Sequence, residues 1–229
     1  RGAAGPGGSG APNQGGQGGE GDGTVHPDGS VDLADPGPTG DTTGWWFWSE
    51  FHPAYTNVES RADIDASPVD STDANDPQAL VPANVHQGAV GDCYFAAAVA
   101  SMASTPEGRQ LLANMVHGDG TYTVRFGDGE EVTVDSDVYV NDSGGLAYGG
   151  ARDGSYNWFS VLEKAYAQRT DHSYEAIEGG WSSEAWKSLV GDGADTHQIH
   201  SPSSSDLTSA LVKDMDADHP AALAVDLHD

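Results

Sequence analysis

Between Gln87 and Phe95 the chain reads Gln-Gly-Ala-Val-Gly-Asp-Cys-Tyr-Phe, and it continues into Ala96-Ala-Ala-Val-Ala-Ser-Met-Ala103. Its single cysteine, Cys93, therefore stands at the start of an apolar helix, six residues after a glutamine. A helix N-terminus carries partial positive charge and unpaired N–H groups, which favour a thiolate and can hold a developing oxyanion. The spacing suits nucleophilic acyl chemistry, with Cys93 as the nucleophile and its own N–H and the Gln87 carboxamide as the oxyanion hole. Gly88 and Gly91 let the backbone bend sharply ahead of the helix and come close to a substrate. A lone cysteine before an alanine-rich helix also fits a small buried hydrophobe. Burial of Cys93 would remove the catalytic reading.

The elements that must position these groups follow from pattern. Residues 92–104 are apolar on all faces, which predicts a buried central helix. Thr105-Pro106-Glu107 opens a second helix, with proline tolerated in its first turn, and this one is expected to end near Gly118. Thr121 to Phe126 alternates as a strand does, and Gly127-Asp-Gly129 turns the chain into Val132-Thr-Val134. Val161, Leu162, Ala165 and Tyr166 share one face of a helix over 157–169, flanked by Glu163 and Lys164. Short helices are expected over 184–190 and 206–215, the latter capped by Ser204 or Ser205, and Ala221 to Val225 reads as a buried strand. The sum is an α+β domain.

Composition sets the limits. The 229 residues suffice for one domain and a tail. Fifteen of the 31 glycines fall in the first 44 residues, with Pro6, Pro12, Pro27, Pro36 and Pro38, so 1–44 reads as a disordered linker. Residues 45–78 follow as an aromatic strap and an acidic loop, the strap being Gly44-Trp-Trp-Phe-Trp-Ser-Glu-Phe51 laid on the domain surface or offered to a partner. The domain proper is expected over 79–229. No secretory apolar core or membrane-length apolar run occurs, and a first residue of Arg1 rather than Met is what a piece of something longer is expected to show. A net charge of −27, from 36 acidic against nine basic residues, disfavours nucleic acid and anionic lipid as partners. That surface suits solubility in high salt as well as an ordinary acidic protein. One cysteine excludes an intrachain disulfide framework. Oligomeric state is not set by any of these features.

Gln-Gly-x-x-Gly-Asp-Cys-aromatic-Phe resembles the nucleophile signature of the calpain-like branch of the papain-type cysteine peptidases. The resemblance continues in order through Gly120-Thr-Tyr-Thr-Val-Arg-Phe126 with Glu131-Val-Thr-Val-Asp135, and Trp158-Phe-Ser-Val-Leu-Glu-Lys-Ala-Tyr-Ala167. Ser173-Tyr-Glu-Ala-Ile-Glu-Gly-Gly180, Ser183-Glu-Ala-Trp186 and Leu189-Val-Gly191 complete it, so that residues 79–225 are covered. It implies a papain-like fold, mainly the helical lobe with a central nucleophile helix and a small antiparallel hairpin. It also implies a cysteine endopeptidase acting on a protein or peptide substrate. Gly179 and Gly180 resemble the family's cleft glycines, whose backbone can pair with an extended substrate. Ser160 or Tyr156 is expected near that cleft.

In this family the base is a histidine followed by an aromatic residue and a strand, oriented by an asparagine, both from a second lobe. No such segment is present, Asp226-Leu-His-Asp229 closes the chain, and no asparagine follows Asn157. The resemblance thus implies a chain truncated before its catalytic histidine and asparagine, and inactive alone. Of His172, His197, His200, His219 and His228, His228 has the right order but nothing after it to hold its ring. His197 and His200 lack a third ligand and read as a surface pair, so no metal site is assigned. Calcium-activated members draw on carboxylates of the protease core. Of the two positions concerned Glu163 is acidic, but the one nine residues before Cys93 is Asn84, so the expected calcium dependence is absent or weak. Asp214-x-Asp216-x-Asp218 starts like a calcium loop, but His219 replaces its turn glycine and Val225 its closing glutamate. A transglutaminase-like acyl transferase and a non-catalytic calpain-like binding module are the alternatives. By analogy with bacterial modules of this kind, an exported location is favoured over a cytoplasmic one.

Overall fold

The computed structural model describes residue 33, residues 35–39, residues 55–193 and residues 205, 208, 209, 212 and 221. Helix α1 spans Cys93–Ala103 and α2 spans Pro106–Ala113. Tyr94, Phe95, Ala98, Val99 and Met102 turn the inner side of α1 into the core, where it packs against α2 and the later helix α4, Ser182–Val190. Cys93 and Ala97 are exposed. The helix is therefore not buried all round, as its composition had implied. A stripe of small side chains is apolar in sequence yet adds little apolar area to water, so it can stay open at small expense.

Thr105 caps α2, its Oγ1 accepting from Gly108 N at 3.0 Å, and Pro106 occupies the first turn. The helix stops at Ala113 rather than near Gly118. Asn114 terminates it, with Nδ2 donating to Gln110 O at 2.8 Å. Val116–Asp119 then forms β2, because Val116 completes the core as a strand residue paired with Val124. Thr121–Arg125 (β3) and Glu131–Asp135 (β4) form the expected hairpin, giving an antiparallel meander in the order β2-β3-β4. Its alternation puts Tyr122, Val124, Val132 and Val134 inside. A second antiparallel pair joins Asn57–Ser60 (β1) to Asp137–Val140 (β5).

Helix α3, Trp158–Arg169, runs beneath the meander and is buried from Trp158 to Ala167. Asn157 accepts from Phe159 N and Ser160 N, both at 3.2 Å, and its Nδ2 donates to Asn84 O at 2.9 Å and to Pro77 O at 3.2 Å. Tyr166 stacks on Phe95 of α1 with ring centroids 4.1 Å apart, which fixes α3 against the helix that carries Cys93. Glu163 and Lys164, expected to flank the buried face, are both inside. Each has found a partner.

Part of the stretch assigned to a linker belongs to the domain. Asp35 pairs with Lys164, Gly37 N donates to His172 O at 2.7 Å, and Tyr174 N donates to Gly37 O at 2.8 Å. Tyr139 OH donates to Pro36 O at 3.1 Å, and Thr39, wholly buried, donates its N–H to Tyr148 OH at 2.8 Å. Composition arguments count apolar surface, and this segment is held by an ion pair and backbone bonds instead. The aromatic cluster at 44–51, His197, His200, His219 and His228 lie outside the described residues. So does most of the helix expected over 206–215 and of the strand expected over 221–225. Among the described residues no helix is long and apolar enough to cross a membrane.

Candidate active site

Cys93 is the first residue of α1, exposed and free. Asp92 precedes it as the cap, and its carbonyl accepts from Phe95 N at 2.8 Å and Ala96 N at 3.1 Å. The N–H groups of Cys93 and Tyr94, at the very start of the helix, have no intrahelical acceptor. Cys93 thus has the access and the backbone donors that acyl chemistry requires. Among the described residues no hydrogen bond joins its thiol to an imidazole.

The turn ahead of Cys93 is laid along residues 147–150. His86 and Gly150 exchange N–H···O bonds of 3.0 and 3.1 Å, and Ala89 N donates to Ala147 O at 2.8 Å. Gly88 crosses this segment so closely that a Cβ there would lie 2.4 Å from the backbone of Tyr148. The half-buried Gln87 donates from Nε2 to Val90 O at 2.6 Å. That bond fixes the carboxamide plane and uses one of its two hydrogens. Gly88→Ala must push the turn off Tyr148 and carry Gln87 with it. Overpacking of this kind is expected to lower stability by about 1–3 kcal/mol, read as a shift of the urea midpoint.

A second loop closes on both flanks of Cys93. Gly179 N donates to Gly91 O at 3.0 Å, and a Cβ on Gly180 would lie 2.5 Å from the Tyr94 ring. That ring is anchored, its hydroxyl 3.3 Å from Ile177 O and 3.4 Å from Tyr166 OH. The structure therefore sets Gly179 and Gly180 beside the residues that bracket Cys93. Ser160 and Tyr156 do not line this region. Both are buried, and Ser160 Oγ donates to Gly149 O at 2.7 Å at the start of α3. A depression of about 440 Å³ at Tyr55, Asn57, Val140 and Asn141 is likewise lined by none of Gln87, Cys93, Gly179 and Gly180.

Sequence reasoning singled out Glu163 but did not bring it together with Asp92. Asp92 and Glu163 are both fully buried. Glu163 Oε2 accepts from Gly149 N at 2.7 Å, whereas Glu163 Oε1 and both Asp92 oxygens have no hydrogen-bond donor from another residue. Burial pushes the Asp92 carboxyl up to about 7, and burial together with the facing Asp92 holds Glu163 well above the usual carboxylate range. Nothing in local pattern links residues so distant in sequence. Asn84 is also buried, its Nδ2 donating to Asp76 O at 2.7 Å and Ala79 O at 3.1 Å. Asp35, Asp135 and Asp137 form another acidic cluster, but the Lys164 ammonium occupies its centre. Lys164 Nζ lies 2.6 Å from Asp135 Oδ1 and 2.7 Å from Asp137 O.

The model of the calpain family cysteine proteases matches residues 72–225, and the chain belongs to that family. It is 36% identical over 123 residues to the calpain-type cysteine protease DEK1 of Zea mays, an alignment covering 52% of this chain and 6% of that protein. It is 31% identical over 142 residues to the calpain-2 catalytic subunit of Mus musculus, covering 56% of this chain and 20% of the relative. The chain thus spans only 6% to 20% of the length of these curated relatives. Family membership agrees with the mixed helix and sheet described above and supports a papain-like architecture.

Proposed function

We propose that this chain is the helical-lobe part of a calpain-like cysteine endopeptidase core, with Cys93 as nucleophile. The Cys93 thiolate attacks a peptide carbonyl, and the new S–C bond pushes charge onto the carbonyl oxygen. The Cys93 N–H and the free hydrogen of the Gln87 carboxamide stabilise that oxyanion. Collapse breaks the C–N bond, a histidine supplied from beyond residue 229 protonates the leaving amine, and water hydrolyses the thioester. Gly179 and Gly180 offer open backbone to an extended substrate. The observation that carries the reading is an exposed Cys93 at the mouth of α1, three residues after the carbonyl that orients Gln87.

Calcium dependence is absent or weak in this reading. Calcium takes six to eight oxygen ligands, whereas Glu163 Oε2 already accepts from Gly149 N and Asn84 offers one neutral oxygen in place of a carboxylate.

The purified 229-residue chain is expected to show no peptide turnover by itself. Hydrolysis that disappears in Cys93→Ala would mean that the base lies within the chain. Adding a primary amine to the assay separates transfer to water from transfer to an amine, the outcome that would favour a transglutaminase-like enzyme.

A further inference from the structure

Residues 35–39 are bonded to the two stretches of chain that lead to the flanks of Cys93. Gly37 pairs with Ser173 in parallel fashion, its N–H donating to His172 O at 2.7 Å and its carbonyl accepting from Tyr174 N at 2.8 Å. Thr39 N donates to Tyr148 OH at 2.8 Å, and Thr39 Oγ1 lies 3.2 Å from the same hydroxyl. The rings of Tyr148 and Tyr174 stack with centroids 3.7 Å apart, so Gly37 and Thr39 grip the two halves of one aromatic pair. Each half leads to the candidate site. The backbone of Tyr148 is the surface against which Gly88 packs. Tyr174 opens the turn Glu175–Ile177, which leads to Gly179 and its bond to Gly91 O. Asp35 is tied to Lys164, and Pro36 O accepts from Tyr139 OH at 3.1 Å. The turn that receives Gly37 is strained. Asp171 and His172 have φ of 52° and 53°, the only non-glycine residues in the left-handed region among the described residues. Such strain persists where surrounding bonds over-determine it. The two bonds of Gly37 fall on His172 O and Tyr174 N, at the end of the strained pair.

We propose that residues 35–39 are a positioning strap, in which Gly37 and Thr39 hold the Gln87 turn and the loop of Gly179 and Gly180 in one arrangement on either side of Cys93. The strap acts on the site through Tyr148 and Tyr174. With the strap docked, the Gln87 carboxamide and the open backbone of Gly179 and Gly180 stand in register for one extended peptide. With the strap released, the strained turn relaxes and carries the second loop away from Gly91. The catalytic meaning of the strap rests on Cys93 being the nucleophile. Its hold on the two loops does not.

Two variants of the full 229-residue chain loosen the strap from opposite ends. Tyr148→Phe keeps the stacked ring but leaves the buried Thr39 N–H without its acceptor. Asp35→Asn weakens the tie to Lys164 and leaves both loops as they are. In each, the amides of Ala89 and Gly179, bonded to Ala147 O and Gly91 O, should exchange with deuterium about tenfold faster than in the wild type. Val132→Ala, which hollows the core at the meander, is the control. It should lower the urea midpoint and leave those two amides unchanged. A second readout separates the loops from the thiol. A dialanyl chloromethyl ketone must lie along the loops to reach Cys93, whereas iodoacetamide need not. The ratio of their rate constants should fall about tenfold in both strap variants, with the iodoacetamide constant unchanged. In Val132→Ala the ratio should hold.

Unchanged exchange at Ala89 and Gly179 in both strap variants would overturn the proposal. Equal acceleration in Val132→Ala would overturn it too, because the loops would then open only with the whole domain. A parallel loss of both labelling rates would overturn the positioning role, since the strap would then act on the thiol alone. If Tyr148→Phe fails to fold, Asp35→Asn decides. Faster exchange in the strap variants, with a wild type that shows no preference for the peptidyl reagent, would support the strap and count against the peptidase reading.

Discussion

Lys164→Met is expected to lower folding stability by about 3–5 kcal/mol, the usual effect of removing one member of a buried ionic group. Methionine matches the length of the side chain and fills its channel, so the loss reports charge rather than a cavity. Lys164 Nζ is almost wholly buried and satisfies Asp35, Asp135 Oδ1 and the carbonyl of Asp137. Without it two carboxylates face each other in a dry site. Asp35 is already pushed up to about 6 by burial, with Lys164 pulling against that shift. Asp35 can therefore escape its charge by protonation when the pH is low. The destabilisation should be largest above pH 6 and shrink below it, as urea midpoints at both ends of the range will show. Asp35→Asn, which leaves Lys164 on Asp135, should lose less.

Gln87→Ala is expected to lower kcat by about 10²- to 10³-fold in a form of the protein that turns over peptide. KM should change little. The carboxamide is half-buried, pinned at 2.6 Å to Val90 O, and the contribution proposed for it comes only as charge develops on the carbonyl oxygen. Steady-state kinetics on a peptide substrate check the prediction. An equal rise in KM with kcat unchanged would instead make Gln87 a ground-state contact.

Local signals carried further than long-range ones. A helix predicted over 92–104 forms over Cys93–Ala103, and one predicted over 157–169 forms over Trp158–Arg169. The Gly-Asp-Cys turn and the Asn157 cap mark those ends by chemistry local to the sequence. Beyond Asn114 the expected helix gives way to β2, because pairing with β3 outweighs a weak local preference. The docking of Asp35 to Thr39 and the meeting of Asp92 with Glu163 join residues far apart in the chain. Composition and periodicity carry no term for such pairs. The candidate site divides the same way. The motif pointed to Cys93 and Gln87 as candidates, but the bond from Gly179 to Gly91 and the packing of Gly180 on Tyr94 needed the fold.

The central claim concerns the thiol of Cys93, and this chain has no other. Alkylation by iodoacetamide therefore reads one atom. Its second-order rate constant at neutral pH, compared with free cysteine under the same conditions, is the most direct measurement. An exposed thiol at the N-terminus of α1 should react faster than free cysteine, and unfolding in urea should abolish the difference. A native rate at or below that of free cysteine would contradict the account.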